Sequence, residues 1–196
     1  MNVYIDGCNK KINTRNYGGY GVYFLNENIE HISEPFIIEP VSNDRAILYA
    51  IYTIIEKFIV SDYDTLNINI QSNHIVKTLK KSKINRVKTD RDIFKLIFDE
   101  IKKTTKKIIF NDIELGTDNE TDELCISHAK KLASDGADKG INFFENMDKK
   151  RKIRERKIIK NTAIQKYTYD EDNKDYKPSD IKVIKKERKK KIKINI

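Results

Sequence analysis

The chain has no tryptophan, only two cysteines, and no apolar run long enough to cross a bilayer. Cys8 and Cys125 are too few for a disulfide framework, so the fold must rest on a core, and a reducing interior is the natural compartment. The missing apolar run and the lack of a signal-peptide core predict a soluble intracellular protein, cytoplasmic or nuclear, with no membrane partner. No internal repeat is present, which sets aside solenoid architectures.

What the sequence does have is charge, distributed unevenly. Its 196 residues carry a net charge of +9, enough to suggest an acidic partner. From Lys149 to the end there are 19 Lys/Arg against 7 Asp/Glu, a net of +12, whereas residues 1–148 hold 20 against 23, a net of −3. The basic character belongs to the tail. The length allows one domain with a real core, and the composition places it at residues 1–145, followed by a basic, mostly disordered tail over 146–196 with a possible short helix near Lys149–Lys160.

Hydrophobic periodicity predicts the elements. Val3 and Ile5 alternate with polar neighbours, so residues 2–6 read as a strand ending on Asp6, and "YGGYGVYF" and "ENIEHISEPFIIEP" supply two more. Ser42 can cap a helix whose apolar stripe is Ile47, Ile51, Ile54, Ile55 and Phe58. "TLNINIQ" is again a strand, "HIVKTLKK" a short helix and "DRDIFKLIFDEIKKT" an amphipathic one. "KKIIFNDIEL" is the fifth strand, and "DELCISHAKKLASDGAD" is the last helix, stopped near Gly136. Three strands followed by alternating helices and strands make an α/β fold, a mixed five-stranded sheet flanked by helices.

Four stretches, in order, resemble the ribonuclease H family. "YIDGCNKK" followed by "NYGGYGVYF" is similar to its first hairpin, and "SNDRAILYAI" to its Thr-Asn-x-Arg-Ala-Glu helix start. "INIQSNHIVKTL" matches the strand-to-helix junction written Thr-Asp-Ser-x-x-x-Ile, and "HAKKLASDGA" the final helix. The resemblance implies a ribonuclease H-like fold and, in an active member, four carboxylates around two divalent cations about 4 Å apart. Hard cations such as Mg²⁺ require that oxygen-rich, anionic set.

Carried across position by position, the resemblance leaves one acid. The first position is Asp6, the second is Ile47, the third is Gln71 and the fourth is Lys130. "GTDNETDELC" offers Asp122 as a second match for the fourth position, which would make Asp6 and Asp122 the metal ligands of a divergent enzyme. The loop histidine that assists product release has no clear match, and Thr117 falls near its place. Asp6 itself reads either as a turn former or as a weak cation ligand. Ile47 reads as core, because it lies on the stripe of Ile51 and Phe58.

The remaining features concern binding. Asn43 stands where the family contacts minor-groove 2′-hydroxyls, and Ser42 replaces the neighbouring phosphate-binding threonine. The tryptophan- and lysine-rich protrusion is reduced to "KSKINRVKT". Phosphate affinity is therefore expected from the tail, through Lys149, Lys150, Arg151, Lys152, Arg154, Arg156 and Lys157, and through Lys189, Lys190 and Lys191. Cys125 and His128 have C-x-x-H spacing without a second ligand pair, which reads as helix packing. His31 and His74 read as isolated.

The expectation is a nucleic-acid-binding protein on an inactive ribonuclease H-like fold, needing no cofactor. Its partner would be an RNA–DNA hybrid, a duplex or a single strand. The alternatives are a Mg²⁺-dependent ribonuclease H that cuts the RNA of hybrids, and a structural scaffold with protein partners.

Overall fold

Ten consecutive residue pairs, from Val3↔Phe24 to Ile12↔Arg15, zip the first two strands into one antiparallel hairpin. In the computed structural model, which describes residues 1–26, 28–81, 89–113 and 120–169 with side chains to residue 158, β1 is Asn2–Ile12 and β2 is Arg15–Phe24. β1 is thus longer than the strand expected over residues 2–6. Its second half is polar because one face is open, and backbone pairing with β2 carries it to a tight turn in which Asn13 takes a left-handed φ of 55°.

β3 (Ile32–Phe36) adds antiparallel to β2 at the sheet edge, the position in a sheet that tolerates a proline such as Pro35. α1 (Asn43–Ile59) begins at Ser42, whose hydroxyl accepts from the Arg45 N–H at 3.2 Å. β4 (Thr65–Ile70) returns parallel to β1, and β5 (Lys107–Asp112) pairs parallel to β4. Between them lie α2 (Asn73–Lys81) and α3 (Arg91–Ile101). The sheet order is β3-β2-β1-β4-β5, the mixed five-stranded α/β arrangement that the sequence pattern implies.

One face of the sheet carries the main core. Val3, Ile5, Val22, Leu66, Ile68 and Ile70 meet the stripe of α1, where Leu48, Ile51, Ile54, Ile55 and Phe58 are completely buried. Arg45 ties α1 to the start of α3. Its guanidinium bonds Asp92 twice, at 2.8 and 2.6 Å, and Asp90 once, at 3.1 Å. Asp90 therefore makes no capping bond of its own and sits at a φ of 55°.

The opposite face is covered by the first part of α4 (Glu120–Tyr169), the part that lies within the first compact unit. The expected stop at Gly136 does not occur. A Cβ at Gly136 would lie 2.5 Å from the Glu34 carbonyl oxygen, so this glycine is there for close approach to β3 and not to end a helix. Residues Met1–Asn146 form one compact unit, and a second begins at Met147. In the second unit residues 147–169 are helical, a stretch that contains the short helix expected near Lys149–Lys160 and runs past it. Lys189–Lys191, Thr117 and most of "KSKINRVKT" lie outside the described residues. Among the described residues no helix is long and apolar enough to cross a membrane.

Candidate functional site

Asp6 occupies a break in the sheet. β4 pairs with β1 only from Asn2↔Asn67 to Ile5↔Ile70, so from Asp6 onward β1 is hydrogen-bonded to β2 alone. Gln71 follows Ile70 directly, at the mouth of this break. Two helices approach it from the two faces of the sheet.

Gly7 admits α1. A Cβ there would meet the Asn43 carbonyl oxygen at 2.4 Å and Ile47 Cγ1 at 3.0 Å, so the first turns of α1 press directly on β1. Ile47 is only 5% exposed and belongs to the main core, as its place on the stripe predicts. Its γ-carbons stand close to the break and offer no lone pair.

Gly19 and Gly21 admit α4 on the other face. A Cβ on Gly21 would be 2.3 Å from the Ala129 carbonyl oxygen and 2.5 Å from the Ala133 nitrogen, so α4 rests on β2 backbone against backbone. Ala129, Ala133 and Ala137 are fully buried as a result. Asp6 pairs with Gly21, and Lys130 follows Ala129, which brings the ammonium within electrostatic reach of Asp6.

The contacts of β1 with α4 advance together along both elements. The Tyr4 hydroxyl donates to Asp122 at 2.5 Å, Asp6 feels Lys130, and the Lys10 ammonium donates to the Ser134 carbonyl at 3.2 Å and pairs with Asp138 at 2.7 Å. This register sets Asp122 beside Tyr4 and Lys130 beside Asp6. Desolvation raises the Asp6 pKa above the ordinary carboxylate range, against the opposing effects of the Gly7 backbone N–H and the Lys130 charge. The Tyr4 phenol is raised strongly, first by burial and then by the bond to Asp122.

Neither a family model nor a curated protein sequence matches the chain. Solved structures do match. LC11-RNase H1, isolated from compost by a metagenomic approach, is 18% identical with a TM-score of 0.56, over 71% of this chain and 96% of that one. The PFV RNase H domain is 14% identical with a TM-score of 0.55, over 69% of this chain and 93% of its own. RNase H1 from the halophilic archaeon Halobacterium salinarum NRC-1 is 15% identical with a TM-score of 0.50, over 70% and 97%. The fold is that of ribonuclease H.

The sequence resemblance assigns its first metal position to Asp6, so the broken edge beside it is the place to test for a metal. Two divalent cations require several anionic oxygens. Of the four positions that the resemblance assigns, one is a carboxylate whose charged form burial disfavours, and the others are an isoleucine packed on the α1 face of the sheet, a neutral amide and a lysine. A lysine at the fourth position adds positive charge where a divalent ion would need negative charge. Among the described residues no group of three or more His, Cys, Asp and Glu could hold a metal. These side chains do not fit a pair of Mg²⁺ ions.

Other carboxylates around the break are engaged elsewhere. Asp44 pairs with His74 at 3.1 Å, His74 also contacts the Ser72 hydroxyl at 3.1 Å, and Asp112 accepts from Asn73 at 2.5 Å. His74 is therefore not isolated. Nor is His31, which accepts the Phe24 N–H through Nδ1 at 3.3 Å and lies tilted against Tyr23, whose ring also stacks on His128. Residue spacing gave no signal for these tertiary contacts. Lys10 could have been found, since the alternation of Tyr4, Asp6, Cys8 and Lys10 puts all of them on one face. Of the binding candidates, Ser42 is partly buried and its hydroxyl is committed to the helix cap, Asn43 is exposed, and Lys149 to Lys157 lie exposed on helix.

Proposed function

We propose that this chain binds nucleic acid, chiefly through its basic C-terminal segment, and does not cleave it. The feature that carries this reading is the residue set at the four positions that the resemblance assigns, where Asp6 is the one acid beside Ile47, Gln71 and Lys130, and among the described residues no group of three or more His, Cys, Asp and Glu could hold a metal. The fold supports a nucleic-acid partner: LC11-RNase H1 has also been solved in complex with an RNA/DNA hybrid, at 18% identity and a TM-score of 0.54 to this chain. Charge supports the tail as the binding element, since residues 1–148 are net −3 and the remainder net +12.

A pair of salt titrations tests the proposal, comparing the full chain with one ending at Met147. Each phosphate neutralised in a duplex contributes about 0.9 to the slope of log affinity against log salt, so engagement of half the tail's excess charge gives a slope of roughly 5. The truncated chain is expected to lose most of its affinity while remaining folded. Equal affinities would transfer binding to the fold itself, through Ser42, Asn43 and the hybrid-facing surface.

A further inference from the structure

Residues 149–157 belong to α4, and every one of them is exposed. Seven are basic (Lys149, Lys150, Arg151, Lys152, Arg154, Arg156 and Lys157), and the single acid, Glu155, pairs with Arg151 at 3.2 Å. At about 100° per residue the basic side chains are spread around the whole helix, and no arc wider than about 100° lacks one. Glu155 falls in that widest arc.

This distribution excludes several partners. A helix that lies on a bilayer needs a continuous apolar face. Here Ile153 points about 140° away from Ile158, and Met147, which shares Ile158's side, is separated from it by Arg151 and Arg154 on that same side. The same scatter removes the seam required for a coiled coil. A single-stranded backbone touches a helix from one side only and would leave half the cations unused.

Resting on the nucleic-acid reading above, we propose that this helical segment enters the major groove of B-form duplex DNA. The groove is about 12 Å wide, and a helix with its side chains is about 10–12 Å across. Within the groove, phosphate rows flank the helix on both sides, which is the environment that all-round positive charge matches. The charge densities agree as well: nine helical residues rise about 12 Å, and about seven phosphates accompany that length of duplex. An A-form helix has a deep, narrow major groove that excludes this approach, so duplex RNA and hybrids are the poorer partners. The contacts are to phosphates, so binding tolerates sequence.

The test uses the full chain and fluorescence anisotropy with three labelled probes: a short DNA duplex, an RNA duplex of the same sequence and the DNA single strand. DNA duplex is expected to bind about tenfold or more tighter than duplex RNA. Two triple variants then probe opposite sides of the helix, one with Lys149→Gln, Lys152→Gln and Arg156→Gln, the other with Lys150→Gln, Arg151→Gln and Arg154→Gln. Each should reduce the salt slope on duplex DNA by about 2.7, three phosphates at 0.9 apiece. Ile153→Pro, which breaks the helix at constant charge, should abolish the preference for DNA over RNA while leaving salt-dependent binding. Equal affinity for DNA and RNA duplexes, loss of slope in one triple variant only, or an unchanged preference in the proline variant would overturn groove entry while leaving nucleic-acid binding standing. Failure to bind all three probes would overturn both.

Discussion

The seat of α4 on the sheet makes Gly21→Ala a demanding substitution. The added methyl would lie 2.3 Å from the Ala129 oxygen, 2.5 Å from the Ala133 nitrogen and 2.7 Å from Leu132 Cβ, where ordinary contact is 3.4–4 Å. Two of these atoms belong to backbone, so relief requires α4 to lift by about 1 Å, the gap between 2.3–2.5 Å and normal contact. Overpacking of this kind typically costs about 1–3 kcal/mol, and the lift also loosens Ala129 and Ala133, both fully buried. The usual gain from replacing glycine in a strand, about 0.5–1 kcal/mol, offsets only part of this. A net loss of about 1–2 kcal/mol should lower the Tm by roughly 3–10 °C for a domain of this size. Gly140→Ala is the control: its methyl would find Pro35 Cβ at 3.3 Å and the Gly18 oxygen at 3.5 Å, so relief from glycine in a helix should stabilise by up to about 1 kcal/mol. Thermal unfolding followed by circular dichroism reads both. Equal or raised stability in Gly21→Ala would refute the backbone-to-backbone seat, and with it the mechanism that brings Lys130 to Asp6.

Three further outcomes follow from the charges and hydroxyls. Burial raises the Asp6 pKa, so the stability linked to its proton is complete below the unfolded value of about 3.9 and is lost as pH rises through the higher folded value. Asp6→Asn should therefore raise the Tm at neutral pH, with the gain vanishing on acidification; a lower Tm at neutral pH would contradict it. Arg45→Met leaves Asp90 and Asp92 without their guanidinium and should destabilise by about 2–3 kcal/mol in urea unfolding, toward the lower end for a buried pair because the Asp92 side chain is 59% exposed. The arginine holds the Asp92 pKa below the ordinary range, so that stabilisation is present above about pH 3.9 and is lost as pH falls through the lower folded value; a loss confined to alkaline pH would count against the pair. Tyr4→Phe removes the bond to Asp122 and should cost about 1 kcal/mol in the same assay, with no loss refuting that bond's part in anchoring α4.

Much of this architecture was legible because burial imprints a period on the sequence. The 3.6-residue stripe of α1 and the alternation of Thr65–Ile70 report a one-sided environment, which is what periodicity measures. The second half of β1 was not legible: "CNKKI" has no buried face to impose alternation, and only pairing with β2 makes it a strand. Gly136 misled because a glycine that stops a helix and one that admits a neighbouring backbone look alike in sequence. At the site, the register of Lys130 rather than Asp122 against Asp6 follows from Gly19 and Gly21 on β2, more than 100 residues away along the chain. The Asp44–His74 pair likewise joins two helices whose proximity no local pattern reveals.

The central claim is that the broken edge beside Asp6 does not work as a metal-dependent nuclease. Its most direct test is incubation of purified full-length protein with a labelled RNA–DNA hybrid and Mg²⁺ or Mn²⁺, beside an Asp6→Asn variant. The account predicts an intact hybrid in both samples, because Ile47, Gln71 and Lys130 cannot complete a two-ion site. Metal-dependent cleavage of the RNA strand that disappears in Asp6→Asn would contradict it.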